Sequence, residues 1–135
     1  MSSDLDLILA ANRAFYRAFA GRDTAAMEAL WAEAAPIACV HPGWPAVAGR
    51  AAVLTTWRQI LANPASPRIR CHKEQGFLYG EVGFVICQEL LDEGMLVATN
   101  VFVREKAAWR MVHHQASPLS AETLGIEEPS SNLRN

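Results

Sequence analysis

Much of what this 135-residue chain does not contain narrows what it can do. It has no surplus of basic charge. Its 12 Lys and Arg stand against 14 Asp and Glu, a net charge of -2. They are spread along the chain, so the electrostatic footprint of a nucleic-acid or anionic-membrane binder is missing. It has no apolar block long enough to span a bilayer, and no positive n-region opens MSSDLDLILAANRAF, whose apolar residues recur at helical spacing. Neither a signal peptide nor a membrane span is expected, and the expected compartment is the cytoplasm. Cysteine is scarce: Cys39, Cys71 and Cys87 are odd in number and far apart, each in an apolar or strand-like run. They read as reduced core residues, and without a Cys-x-x-Cys pair zinc-thiolate chemistry is set aside. There is also no His pair at i,i+4 and no His-x-His, so no metal site is expected. Ser117 with His114 and Glu122 lacks a nucleophile-elbow motif. Internal repeats and low-complexity segments are absent.

What is present is enough apolar material for a core: 51% hydrophobic residues in 14.8 kDa, read as one domain over residues 1–125 with a polar, flexible tail over 126–135. Ser3, followed by Asp4 and Asp6, starts a helix that runs to Ala20 with Leu5, Ile8, Leu9, Phe15 and Phe19 as its buried stripe and Asn12 as the one polar interruption. Gly21 stops it, and Asp23 caps a second helix from Thr24 to Trp31. Pro36 breaks the pattern, Ile37 to His41 reads as a short strand, and Pro42, Gly43 and Pro45 force a loop. A third helix begins at Gly49 and Arg50 and ends before Asn63-Pro64. Ile69–Tyr79, Val82–Leu91, Met95–Arg104 and Trp109–Gln115 then read as an antiparallel meander. Two of its strands, GFVICQEL and LVATNVFV, are apolar at nearly every position, so both sheet faces should be covered. Three helices can cover one face, and a second copy of the chain is expected on the other.

This order of elements resembles the SnoaL-like and ketosteroid-isomerase-like members of the nuclear transport factor 2 superfamily, over Leu5 to Pro118. The local marks are FYRAFAGRD, ALWAE, AGRAAVLTTW, ATNVFVR and WRMVHHQAS. The resemblance implies an α+β fold in which a curved, cone-shaped antiparallel sheet packs against three N-terminal helices and holds ligands inside the cone. It covers isomerases, cyclases, dehydratases, epoxide hydrolases and non-enzymatic domains, so it implies a scaffold more than a reaction. Ketosteroid isomerase employs an aspartate base with a tyrosine and a protonated aspartic acid as oxyanion donors. By resemblance His41-Pro42 stands where the base is, and Asn100 stands where the oxyanion acid is. The helix-one tyrosine falls nearer Phe15 than Tyr16. Steroid isomerisation is not implied.

Three residues are the candidate catalytic set. His41, at a strand end beside a loop, can be a general base or acid, or it can cap the strand against the Pro42–Pro45 loop. Asn100 must satisfy its amide in an apolar strand, through a neighbour, a water or the second copy, or offer it to developing oxygen charge. His113 and His114 are adjacent and must face opposite ways. Of the two, His114 is taken as catalytic and His113 as a ligand contact. Phe15, Tyr16, Trp44, Trp57 and Phe102 complete the ligand-binding set, with core packing as the alternative for Trp57. His72, sharing a strand face with Arg70 and Glu74, reads as solvated, and Arg50 as a structural partner at the helix-three start. The expected partners are a small apolar organic molecule and a second copy of the chain. The chemistry is isomerase, cyclase or lyase, needing no organic cofactor, and a non-catalytic binding or association domain is the alternative.

Overall fold

A computed structural model describes residues 3–120 and is built from three helices and a six-stranded sheet. The elements are α1 (Asp4–Ala20), α2 (Thr24–Leu30), β1 (Ala38–Val40), β2 (Val47–Ala48), α3 (Arg50–Ala62), β3 (Arg70–Tyr79), β4 (Val82–Leu91), β5 (Gly94–Glu105) and β6 (Ala108–Pro118). The expected tail, with Glu122, lies outside the described residues.

The first two helices are started by side-chain caps. Ser3 Oγ accepts from the Asp6 amide, and the Asp6 carboxylate accepts from the Ser3 amide, a reciprocal box that satisfies two otherwise orphaned donors of α1. Asp23 accepts from the Ala26 amide and starts α2. The C-terminal carbonyls of α2 are closed from outside. Arg50 donates to the carbonyl oxygens of Trp31 (2.9 Å), Ala32 (2.7 Å) and Glu28 (3.3 Å), which makes Arg50 the clasp between α2 and α3. Gly49 opens α3 with φ of 94°, a left-handed conformation that other residues resist.

The four long strands form the expected meander, with strand order β2-β1-β6-β5-β4-β3. One expectation is corrected: the sheet is mixed. β1 runs parallel to β6, and the two residues of β2 turn back antiparallel onto β1. Two residues are too few for any hydrophobic period to show. Leu5 is a second correction: it remains 39% exposed, while Ile8, Phe15 and Phe19 bury the stripe.

Two irregularities set which side chains enter the interior. In β3 the pairing jumps between His72 and Gln75, with Lys73 at φ of 56°. His72 stays exposed, but Glu74 is turned inward against α1, so the two do not share a solvated face. In β6 the pairing jumps at Val112, where Val101 faces His113 and Phe102 faces Met111. Trp109 and Met111 point into the core on one side of the bulge, and His114 and Ala116 do so on the other. β5 alternates without interruption, so Asn100 and Phe102 both point inward.

The core centres on Phe15, Trp31, Trp57 and Phe102, each at most 1% exposed. Phe15 and Trp57 meet edge to face at 5.4 Å, a geometry worth about 0.5–1.5 kcal/mol beyond area burial. The opposite sheet face carries no helix among the described residues. Phe84, Ile86, Val97, Val101 and Val103 lie half-buried on it, and Phe84 stacks with Phe77 and Tyr79 at the β3–β4 end. No helix among the described residues is long and apolar enough to cross a membrane.

α1 approaches the sheet closely over Gly76 and Gly83. A Cβ at Gly83 would sit 2.9 Å from Ile8 Cδ1 and 3.0 Å from the Phe77 carbonyl oxygen, and the backbone atom cannot yield. Gly83→Ala should therefore cost about 1–3 kcal/mol in chemical denaturation by crowding the β3 backbone at Phe77 and the Ile8 side chain of α1. An unchanged denaturation midpoint would show that this close approach is not required.

Candidate active site

The inner sheet face, α1, α3 and the loops after β1 and α3 enclose a cavity of about 420 Å³. His41, Trp44, Trp57, Glu89, Leu96 and His114 are on its wall. The lining is mainly apolar with a few polar groups, the composition of a small-molecule site. Trp44, 41% exposed between Gly43 and Pro45, is its solvent-side aromatic.

A chain of side-chain hydrogen bonds runs behind this lining and meets it at Glu89 and His114. It starts at Glu74, which is paired with Arg13 (3.0 Å) and accepts from Asn12 Nδ2 at 2.8 Å. A carboxylate can only accept, so the Asn12 amide is oriented, and its Oδ1 faces Asn100 Nδ2 at 2.8 Å. The second Asn100 hydrogen goes to the Tyr16 hydroxyl at 3.1 Å, and Tyr16 donates to Glu89 Oε2 at 2.6 Å. Asn100 Oδ1 is thereby left to accept from His114 Nδ1 at 2.6 Å. The imidazole proton sits on Nδ1, and Nε2 keeps a lone pair.

His114 is 3% exposed, and burial, with His41 and His113 adding to it, pushes its pKa down to about 3. It is a neutral acceptor at physiological pH. His41 is also neutral, lowered to about 4 by burial. Its Nε2 lies 2.8 Å from Thr56 Oγ1, whose own hydrogen goes to the Val53 carbonyl at 2.7 Å. Nε2 therefore carries the His41 proton. The ring bonds to α3 and not to the Pro42–Pro45 loop, and it packs edge-on against Trp44 and Trp57.

Glu89 is the residue that sequence reasoning missed. It is 2% exposed, lines the cavity, and has its pKa raised because burial disfavours the charge more than the Tyr16 hydrogen bond favours it. The signal was a carboxylate inside the otherwise apolar GFVICQEL. Asn12 was visible as the polar interruption of the α1 stripe.

The other candidates divide cleanly. Tyr16, and not Phe15, brings a hydroxyl to the cluster; its own pKa is raised by burial and by Glu89. Phe15 packs between Tyr16, Trp57 and His114 as core, and Phe102 is also core, neither being among the lining residues. His113 lies on the other side of β6, half-buried, with Nδ1 3.0 Å from the Ala38 carbonyl, and it is not among the residues that line the cavity. Asn100 has both amide hydrogens engaged, which removes it as an oxyanion donor and makes it the residue that orients His114. Ser117 is exposed and does not join His114. Among the described residues no group of three His, Cys, Asp or Glu is arranged to hold a metal ion.

Residues 8–121 match the model of the SnoaL-like domain. The chain belongs to the SnoaL-like family. Two solved structures are similar in sequence as well as fold. One is a Streptomyces avermitilis protein provisionally described as a dehydratase of the nuclear transport factor 2-like family, 33% identical, with a TM-score of 0.79 over 87% of this chain and 97% of that one. The other is a Thiobacillus denitrificans protein provisionally described as a calcium/calmodulin-dependent protein kinase type II association domain, 37% identical, with a TM-score of 0.74 over 83% of this chain and 94% of that one. The F-box protein SKIP8 of Arabidopsis thaliana is 25% identical over 112 residues, 82% of this chain; the chain spans about half that protein's length, 48%. Family membership thus accompanies relatives with an enzyme's description and with an assembly domain's.

The two histidines make acid stability a direct readout. Their folded pKa values, about 4 and about 3, lie below the ordinary 6.5, so unfolded chains bind more protons below 6.5. The stability they contribute is complete above pH 6.5 and declines as pH falls toward 4 and then 3. His114→Gln should flatten that slope in denaturant melts at successive pH values, and nitrogen NMR should report an Nδ1–H tautomer for His114 and an Nε2–H tautomer for His41.

Proposed function

We propose that this SnoaL-like protein binds a small, largely apolar organic molecule in the cone and moves a proton on it, with His114 Nε2 as the base. One observation carries the reading: His114, which lines an apolar cavity, has its Nδ1 proton pinned on Asn100, while its Nε2 keeps a lone pair. A pinned tautomer on a rigid strand is what general-base catalysis requires of an imidazole. His41, neutral and on the same wall, is a second proton carrier. The reaction classes in keeping with this are isomerisation, cyclisation and elimination, and the Streptomyces relative's description lies among them.

A second reading, a non-catalytic association domain, is favoured by the apolar outer sheet face and by the description of the Thiobacillus relative. A second copy of the chain would cover Phe84, Val101 and Val103 through a two-fold contact. Sedimentation equilibrium should then give a dimer, and Val101→Glu a folded monomer.

β-Tetralone, a ketone of suitable size with acidic α-hydrogens, tests the proton-transfer reading. The protein should accelerate its α-deuterium exchange in heavy water at least tenfold over buffer, as followed by proton NMR. His114→Ala should return the rate to that of buffer. Saturable binding of β-tetralone with exchange only at the buffer rate would reduce the site to a binding pocket.

A further inference from the structure

We infer that Glu89 is the proton donor that works opposite His114, and that the cavity takes neutral β-hydroxy carbonyl compounds and eliminates water from them. The inference rests on the base assignment above and adds the acid and the substrate class.

Three observations carry it. First, Glu89 is 2% exposed on the cavity wall, and its one hydrogen-bond partner among the described residues, Tyr16, is at Oε2, which leaves Oε1 for a ligand. Second, no Lys or Arg is among the described residues that line the cavity, so an ionised carboxylate would have no counterion among them. Of the groups that face it, Tyr16 from α1, Cys71 opposite it in register on β3, Cys39 on β1 and the imidazoles of His41 and His114 are neutral in the resting state. The Cys87 thiol, on the same strand as Glu89, has its pKa lowered by the hydrogen bond with Cys71, and it adds no positive charge. The protonated acid is favoured there, as the raised pKa also indicates. Third, the hydrogen bonds linking the two ends of the site all point the same way. His114 Nδ1–H donates to Asn100, Asn100 Nδ2–H to Tyr16, and Tyr16 O–H to Glu89. When His114 gains a proton it donates more strongly, and the polarisation passes along the chain to stabilise a negative Glu89. The chain therefore favours the one charge pattern that proton removal at His114 and proton delivery from Glu89 would create together.

In the reaction, the α C–H bond breaks, its proton passing to His114 Nε2 and its electron pair forming the C=C bond to the β-carbon. The C–O bond breaks with its pair on the hydroxyl oxygen, which takes the Glu89 proton and leaves as water. The carbonyl is unchanged. Imidazolium and carboxylate remain, and one proton relayed through the released water restores both. Asn100 and Tyr16 are positioning residues.

The probe is the aldol adduct of acetone and benzaldehyde, whose dehydration to benzylideneacetone is read by near-ultraviolet absorbance. Wild-type kcat/KM should rise with pH as His114 loses its proton and fall again as Glu89 loses its own. Glu89→Gln should lower kcat/KM about 100-fold, within the range general acids contribute, and abolish the alkaline limb. It should melt no lower than wild type, because it removes a buried carboxyl without a counterion. Tyr16→Phe, lacking the bond that favours the carboxylate, should move the alkaline limb upward. Turnover in Glu89→Gln within threefold of wild type overturns the role of Glu89 and leaves the His114 reading standing. Benzylideneacetone binding, read by tryptophan quenching, without turnover overturns the elimination but not the pocket. Absence of both turnover and binding overturns this inference together with the reading beneath it.

Discussion

Asn100 sits fully buried in the middle of β5, with two hydrogens and an oxygen to satisfy and no access to solvent. An amide buried without partners costs several kcal/mol, so its surroundings have to be built for it. Asn12 and Tyr16, one helical turn apart on α1, take the hydrogens, and His114 on β6 supplies the donor to the oxygen. This single requirement fixes the rotation of α1 over the sheet, the register between β5 and β6, and the tautomer of His114. It also gives the interior a direction. Glu74, an obligate acceptor held by Arg13, anchors one branch, and Glu89 ends the other. Half-satisfied networks of this kind cost more than an apolar core, whereas fully satisfied ones specify a unique arrangement.

The fold was legible in the sequence because its signals are local. Ser3 and Asp6, Asp23, Gly49, the Asn63-Pro64 break and the tight turns between long strands each mark a boundary through backbone chemistry that needs no tertiary context. β2 was not legible, since two residues form a strand only when β1 is already there to pair with. The parallel pairing of β1 with β6 joins segments more than seventy residues apart and leaves no trace in either.

The site was legible only in part, for a related reason. His41, Asn100, Trp44 and Trp57 announce themselves as residue types out of keeping with their neighbours, and Asn100 and Phe102 share a face because β5 keeps strict alternation. Alternation could not choose between His113 and His114, because the choice depends on a bulge at Val112 that the sequence does not advertise. Glu89 escaped because a carboxylate in a strand is ordinarily read as facing water. Its burial depends on a tyrosine seventy-three positions earlier.

That bulge has an evolutionary consequence. Side chains on a strand alternate with a period of two, so one extra residue at Val112 exchanges the inner and outer sets for everything after it. Deleting Val112 would leave a regular strand with Met111, His114 and Ala116 still inward. Straightening the strand with Val112 kept would instead turn His114 and Ala116 outside and bring His113 into the cone, with no substitution at either histidine. A lineage could thus exchange its interior imidazole, and the hydrogen-bond partners that go with it, by losing the bulge while keeping the length of the strand. Gain and loss of reactivity in such a scaffold can therefore follow changes of strand register, leaving the identity of the chemically active residues untouched.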